Sequence, residues 1–286
     1  MNIEDVLLFI ILFFSTLGFA ILLGQRFVIK PTLSCGLFLW HTFFSLFYCN
    51  WSLNNLADAT VYYETAEQWQ SYSWSPGTDF ITSLTKVCAD ILGASYVNTF
   101  LMFNVFGVFG LIILAKILLD HWPKRGDKES FIPYLIILLP GISFWSSTIG
   151  KDGVSFLAAT LAVYGFIDPS RRKIFIGAAV VLMFMVRPHM AILMIASGAI
   201  AFSTGRGVPA GQRVFLLALL AGVGVAVYPF VIAYVGLVDG VSLDSLSSYV
   251  GKRQGYNLGG GSSVNISDMT LPMQIITFLF RPFFFD

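Results

Sequence analysis

Four groups of residues in this chain have the types and spacing to handle an anionic or hydroxylated ligand. The first lies in the run Ala57 to Trp69. On a helix, Asp58 and Tyr62 stand four apart, as do Thr60 and Glu64, while Glu64 and Glu67 stand three apart. Carboxylates and aromatic rings thus collect on one short amphipathic element. A carboxylate beside a low-dielectric boundary holds its proton more tightly and serves as a general base, and an aromatic face is a platform for a sugar ring. Read more simply, the run is an interfacial helix with its acids in water and its Tyr and Trp at the lipid headgroups. The second group is Gly150-Lys151-Asp152-Gly153, which follows Leu139-Pro140-Gly141-Ile142-Ser143-Phe144-Trp145-Ser146-Ser147. A helix starting near Asp152 points free backbone N–H groups and its positive dipole end outward, and Lys151 adds a full charge. That suits a phosphate or pyrophosphate, with Trp145 as a substrate contact. The spacing is not that of the P-loop GxxxxGK[ST]. The simpler reading is a turn capped by Asp152, with the Lys151 stem lying along apolar surface. A cap from Asp152 is expected in either case.

The third group is Met185-Val186-Arg187-Pro188-His189. An arginine inside an apolar run is costly in lipid, so it should face a cavity or the interface, where its fork can take a phosphate or carboxylate. His189 titrates near neutral pH and is a candidate proton relay. The same segment also reads as a charged cap at a proline break. The fourth group is Tyr249-Val250-Gly251-Lys252-Arg253-Gln254-Gly255-Tyr256, followed by Gly259-Gly260-Gly261-Ser262-Ser263. Lys252 and Arg253 beside a glycine-rich hinge would close over a substrate, or the segment is a solvated loop. Near the end, Arg281 sits in Phe280-Arg281-Pro282-Phe283 and calls for a partner or an anionic ligand.

The elements that must position these residues are set by composition. The chain has 286 residues, 56% of them apolar, with 17 Lys and Arg against 16 Asp and Glu, a formal net charge of +1. Mean hydropathy is +0.78. So few charges cannot dress a water-soluble surface of this size, and the near-zero net charge excludes an electrostatically driven nucleic-acid binder. A polytopic membrane protein is what remains. Apolar runs near 5–24, 33–51, 98–119, 131–148, 153–168, 174–187, 189–204 and 214–237 predict an all-α bundle of about eight spans (seven to nine) forming one integral membrane domain over 1–286. Two longer external loops, 52–97 and 238–270, lie within it. The N-terminal run has an acidic rather than basic start and reads as a retained first transmembrane helix. Cys35, Cys49 and Cys88 form no CxxC pair and read as small apolar residues.

Placing the N-terminus outside puts ten Lys and Arg into four inner loops, with Lys116 at the inner end of its helix and six outside, in keeping with the positive-inside rule. Twelve of the 16 acidic residues then fall outside. The outer face, which holds all four groups, is the expected place for chemistry.

Asp58-x-x-x-Tyr62-x-x-x-Ala66, Pro140…Phe144-Trp145-Ser146 leading into Gly150-Lys151-Asp152, Arg187-Pro188, and Phe280-Arg281-Pro282-Phe283 together resemble bacterial polytopic proteins of surface-polysaccharide assembly. These are the O-antigen-polymerase-like proteins and membrane-embedded glycosyltransferases of the GT-C type. The resemblance spans about 55–286. It implies a multi-pass protein of the bacterial plasma (inner) membrane, in contact with membrane lipid. It implies a polyprenyl-phosphate-linked sugar donor, catalysis on the extracytoplasmic face, and partners among other polysaccharide-assembly proteins. By that analogy Asp58 is the base or a metal-binding carboxylate, with a divalent metal as the cofactor to look for. Glu64 and His189 are the other catalytic candidates. Lys151, Arg187 and Arg281 would contact the donor phosphate, and Tyr62, Trp145, Lys252 and Arg253 the substrate. Family members run further past the last arginine motif, so the resemblance also implies a chain truncated at its C-terminus. The competing reading is a transporter or flippase-like protein for a lipid-linked or anionic solute, since charges within spans also mark a solute pathway.

Overall fold

The computed structural model describes residues 3–123, 130–204, 269–280 and a few positions between 209 and 225. Every regular element among them is a helix. They divide into two compact units, Met1–Pro188 and His189–Asp286. The first unit holds α1 (Ile3–Arg26), α2 (Pro31–Ser52), α3 (Asp58–Gln68), α4 (Thr78–Leu92), α5 (Tyr96–His121), α6 (Ile132–Ile137), α7 (Pro140–Ser146), α8 (Lys151–Ile167) and α9 (Lys173–Val186). The second holds the body of α10 (Pro188–Thr204) and α11 (Leu271–Phe280). Most of the expected span at 214–237, most of the loop at 238–270 and Arg281 lie outside the described residues.

Among the described helices, α1, α2 and α5 are long and apolar enough to cross a membrane. Helix α5 is apolar all round and forms the centre of the first unit, touching α1, α2, α4, α6, α7 and α8. Its Phe100, Leu101, Phe103, Val108, Leu111 and Ile112 are buried. Helix α1 is peripheral: Leu7, Ile11, Phe14, Phe19 and Leu22 face outward, as lipid-facing side chains do. The apolar run at 131–148 is not one helix. Proline cannot donate to the helical ladder and excludes its predecessor from the α region, so Pro140 ends the segment begun at Ile132 and starts another. The hydrophilic stretch 52–97 is largely helical. Helix α3 buries Ala59, Tyr62 and Ala66 as a 3–4 stripe, and α4 follows it, ending on Gly93 at φ +59° with Ala94 N–H returning 3.1 Å to the Cys88 carbonyl.

The ends of the first unit are held separately. At one end Asn98 donates to the Asp5 carbonyl (3.1 Å), Ser52 meets the Tyr96 hydroxyl (2.8 Å) and Tyr63 donates to the Ala94 carbonyl (3.2 Å). At the other, Phe27 packs edge-on to Tyr164, and Arg172 stacks over that ring while donating to the Tyr164 carbonyl (3.0 Å). The charges follow the same division. Asp5, Asp58, Lys151, Asp152 and Arg187 occupy the first end. Arg26, Lys30, Lys116, Asp120 and Arg172 occupy the second.

A buried polar chain crosses the middle. His41 of α2 bridges Asn104 of α5, through Nδ1, and Ser146 of α7, whose Oγ lies 2.9 Å from Nε2. Asn104 Nδ2 donates to Thr42 (2.9 Å) and Ser45 donates to the Ser147 carbonyl (3.1 Å). Gly107 makes this possible, because a Cβ there would stand 2.3 Å from the His41 ring and 2.5 Å from the Ser146 carbonyl. Gly107→Ala should therefore lower stability by about 1–3 kcal/mol or more, since neither ring nor backbone can give way. Gly36→Ala, where a new methyl meets nothing, should be neutral or mildly stabilising. Thermal unfolding of both variants in detergent measures the contrast, and equal midpoints would contradict the packing described.

Candidate functional site

Four helix ends converge at the first end of the unit. Helix α8 opens at Lys151 because Gly150 is extended and the acid in its first turn suits the helix dipole. The stretch Ser146 to Gly150 that delivers it is buried throughout. Helix α9 stops at Val186 because Arg187 precedes a proline and is forced out of the α region. The loop leading into α4 is tied to α9 by Gly77 N–H, which donates to the Met185 carbonyl (2.8 Å). Helix α3 starts at Asp58 and turns Tyr62 inward on the same face.

Within this cluster, Arg187 Nη2 forms an ion pair and hydrogen bond with Asp152 Oδ1. Lys151 Nζ donates to Thr78 Oγ1 at 3.0 Å, and the Thr78 hydroxyl also meets the Tyr62 phenol. Asp58 is exposed but close enough to act through its charge on Tyr62, Lys151 and Asp152. Burial pushes the Tyr62 phenol up to about 12, with the Asp58 charge adding to it and the Thr78 hydrogen bond opposing. Burial holds Lys151 below the ordinary lysine value, with Arg187 repelling it in the same direction. Burial also raises the Asp152 carboxyl, against the pull of Arg187. The result is a half-buried set of two cations and two anions beside a helix N-terminus that no side chain caps.

Asp58 with Tyr62, Lys151 and Arg187, from three distant stretches of the sequence, are thus brought together. Glu64 is exposed further along α3 and acts by charge on Tyr96. Trp145 is exposed, edge-on to Phe144. His189 belongs to the second unit, while Lys252, Arg253 and Arg281 lie outside the described residues. The expected cap from Asp152 is corrected: the N-cap is Gly150, and the Asp152 carboxylate turns to Arg187, a stronger charged partner than a backbone N–H. Two positions escaped sequence reading. Thr78 carried no motif, although it opens α4 just after a Pro-Gly turn. His41 lies in an apolar run, and its partners are 63 and 105 residues away.

Among the described residues no three His, Cys, Asp or Glu side chains gather to hold a metal ion. Of the two carboxylates here, one is engaged by arginine, and two cations flank them. The donor set suits an anion better than a divalent metal. The chain matches no protein-family model, no curated protein and no solved structure with which it was compared.

Two expectations test this geometry. His41→Phe strands the Asn104 side-chain oxygen in the interior, while Ser146 keeps its bond to the Ile142 carbonyl, and should cost roughly 1–3 kcal/mol, read from unfolding in detergent. For Tyr62, the folded phenol ionises near 12 against 10.0 unfolded. Its stabilisation is full below pH 10 and is lost as pH climbs towards 12. Tyr62→Phe should therefore flatten the fall in stability across that alkaline window, and an unchanged slope would show that the phenol is not held as described.

Proposed function

We propose that this protein transfers a glycosyl group from a polyprenyl-phosphate-linked donor on the extracytoplasmic face of a bacterial plasma membrane, in the assembly of a cell-surface polysaccharide. The observation that carries the proposal is the meeting of Asp58, Tyr62, Thr78, Lys151, Asp152 and Arg187, from four helix ends, at one end of a unit whose long helices are membrane-spanning in length and apolarity. In this reading α1, α2 and α5 cross singly, and the shorter apolar helices with the segment beyond α10 complete a multi-pass bundle of about eight spans with the N-terminus outside. A lipid-linked substrate would reach the site laterally from the bilayer while its phosphate stays at the interface.

The chemistry follows from the charges. The exposed Asp58 carboxylate accepts the proton of the acceptor hydroxyl as its oxygen attacks the anomeric carbon. A new C–O bond forms there, and the bond from that carbon to the phosphate oxygen breaks. The electron pair departs with the phosphate. Lys151 and the uncapped N–H groups of α8 stabilise the charge that develops on it. Arg187 is held by Asp152 through one guanidinium nitrogen, so the ion pair fixes its position beside Lys151. Thr78 holds the Lys151 ammonium without neutralising it.

Asp58→Asn and Lys151→Ala, each tested at normal membrane abundance in the source cell, should abolish polymer formation or reduce it by at least about a hundredfold, as expected when a general base or the principal charge stabiliser is lost. Wild-type polymer from both variants would sink the proposal.

A further inference from the structure

The loop joining α3 to α4 carries a feature that the charged cluster does not use. It reads Trp69-Gln70-Ser71-Tyr72-Ser73-Trp74-Ser75-Pro76-Gly77, aromatic rings alternating with hydroxyls and no Leu, Ile, Val, Met or Phe among them. The rings of Tyr72 and Trp74 are 41% and 52% exposed yet nearly parallel, 9° between planes with centroids 6.3 Å apart. Exposed rings on a surface loop turn freely unless something holds them, and here much does. Ser73, between the two rings, is pinned by its N–H to Ser83 Oγ (2.8 Å), by its carbonyl from Ser83 Oγ (2.7 Å) and by its hydroxyl to Asp79 (2.9 Å). The Tyr72 hydroxyl donates to Asp90 (3.1 Å), and Lys86, itself paired to Asp90 at 2.7 Å, sits 5.7 Å from the Tyr72 ring centroid. Phe80 supports Trp74 from α4.

We infer that Tyr72 and Trp74 form a saccharide-binding platform beside the charged cluster, on which the sugar chain of the acceptor stacks. The exposed, immobilised ring surface of this stacked pair suits the C–H face of a pyranose ring. The exposed Ser71 and Ser75 side chains and the Asp90 carboxylate border the platform with groups able to bond sugar hydroxyls, while Lys86 is buried and held by Asp90. A headgroup anchor of Tyr and Trp needs neither parallel rings nor a bonded tyrosine hydroxyl. Tyr, Trp and Ser on a fixed backbone are the composition of a recognition surface, giving rigid contact area at small entropic cost with hydrogen bonding around it. The loop continues directly into Thr78, the residue that holds Lys151, so a chain lying on the platform leads to the transfer site.

The ligand class rests on the glycosyl-transfer reading, but the platform is tested apart from it. The full chain is reconstituted in phospholipid nanodiscs and titrated with the delipidated surface polysaccharide of the source cell, followed by tryptophan fluorescence and saturation-transfer NMR. Wild type and Gly36→Ala should bind alike. Trp74→Ala and Tyr72→Ala should each bind about tenfold or more weakly, the size of a lost aromatic contact, while Trp74→Phe recovers most of the affinity. Thermal unfolding of the same samples keeps a folding defect distinguishable, and Trp74→Phe preserves the ring where alanine disturbs the loop. Equal binding by wild type and both alanine variants overturns the inference, as does the absence of binding by wild type. Quenching of Trp74 by brominated lipid without any response to saccharide also overturns it and assigns the loop to the membrane. Should Lys151→Ala retain full polymer synthesis in cells while Trp74→Ala loses polysaccharide binding, the transfer chemistry fails and the platform stands.

Discussion

The arrangement at the charged end depends on a hydrogen-bonded grip deep in the unit, where His41 and Ser45 of α2 hold the last turn of α7. In an apolar interior a polar side chain without a partner is costly, so these groups dictate a single register between the two helices. Two glycines let the grip close. A Cβ at Gly107 of α5 or at Gly153 of α8 would fall within 2.6 Å of the Ser146 carbonyl. Four helices therefore meet on one stretch of backbone, from Ser146 to Gly153, and that stretch carries Lys151 and Asp152 near its end. The surface charges occupy fixed positions because the buried backbone beneath them has nowhere else to go.

Stability alone gives little reason for the charges themselves. In the Arg187–Asp152 pair the side chains are 35% and 48% exposed, and pairs of that kind contribute little to folding. Lys151 is paired to a neutral hydroxyl rather than to either nearby carboxylate at bonding distance, an expensive way to use a half-buried ammonium if it served only to stabilise the fold. The apolar interior, with Phe38, Phe100, Phe103 and Ile112 all but inaccessible, holds the unit together without help from this cluster. A polar set that adds little to the fold, placed where several helix ends point at one spot, is what a ligand site requires.

Much of this was legible in the sequence, and the rest was not for definite reasons. The i, i+4 spacing of Asp58 and Tyr62 gave their shared face. The Arg187-Pro188 junction gave the end of α9, and Gly150 the start of α8. Three long apolar runs gave three helices of membrane-spanning length among the described residues. Hydropathy misled at 131–148, where an unbroken apolar run outweighed the break that Pro140 enforces. It also treated 52–97 as a polar interval, though α4 buries a Lys86 that is paired four residues on to Asp90. His41, Asn104 and Ser146 lay beyond reach, because local pattern holds no information about partners 63 and 105 residues distant. Asp152 shows a subtler failure. Its position suited a helix cap, and only the tertiary fold supplied the arginine that outcompeted the backbone for its carboxylate.

The buried network also bears on the choice between chemistry and transport. A solute path through the first unit would need polar groups near mid-helix that face a cavity open in turn to each side. The mid-helix polar groups His41, Thr42, Ser45 and Asn104 are all essentially inaccessible, bonded to one another and to the end of α7, with the backbone of Gly107 pressed against the His41 ring. Opening such a network to a passing solute would leave several groups unpaired in the interior. Within this unit, then, the interior is built to stay shut, while half-exposed charges and parallel aromatic rings gather at one end. That distribution is the one the proposed reaction at one face of a membrane would use.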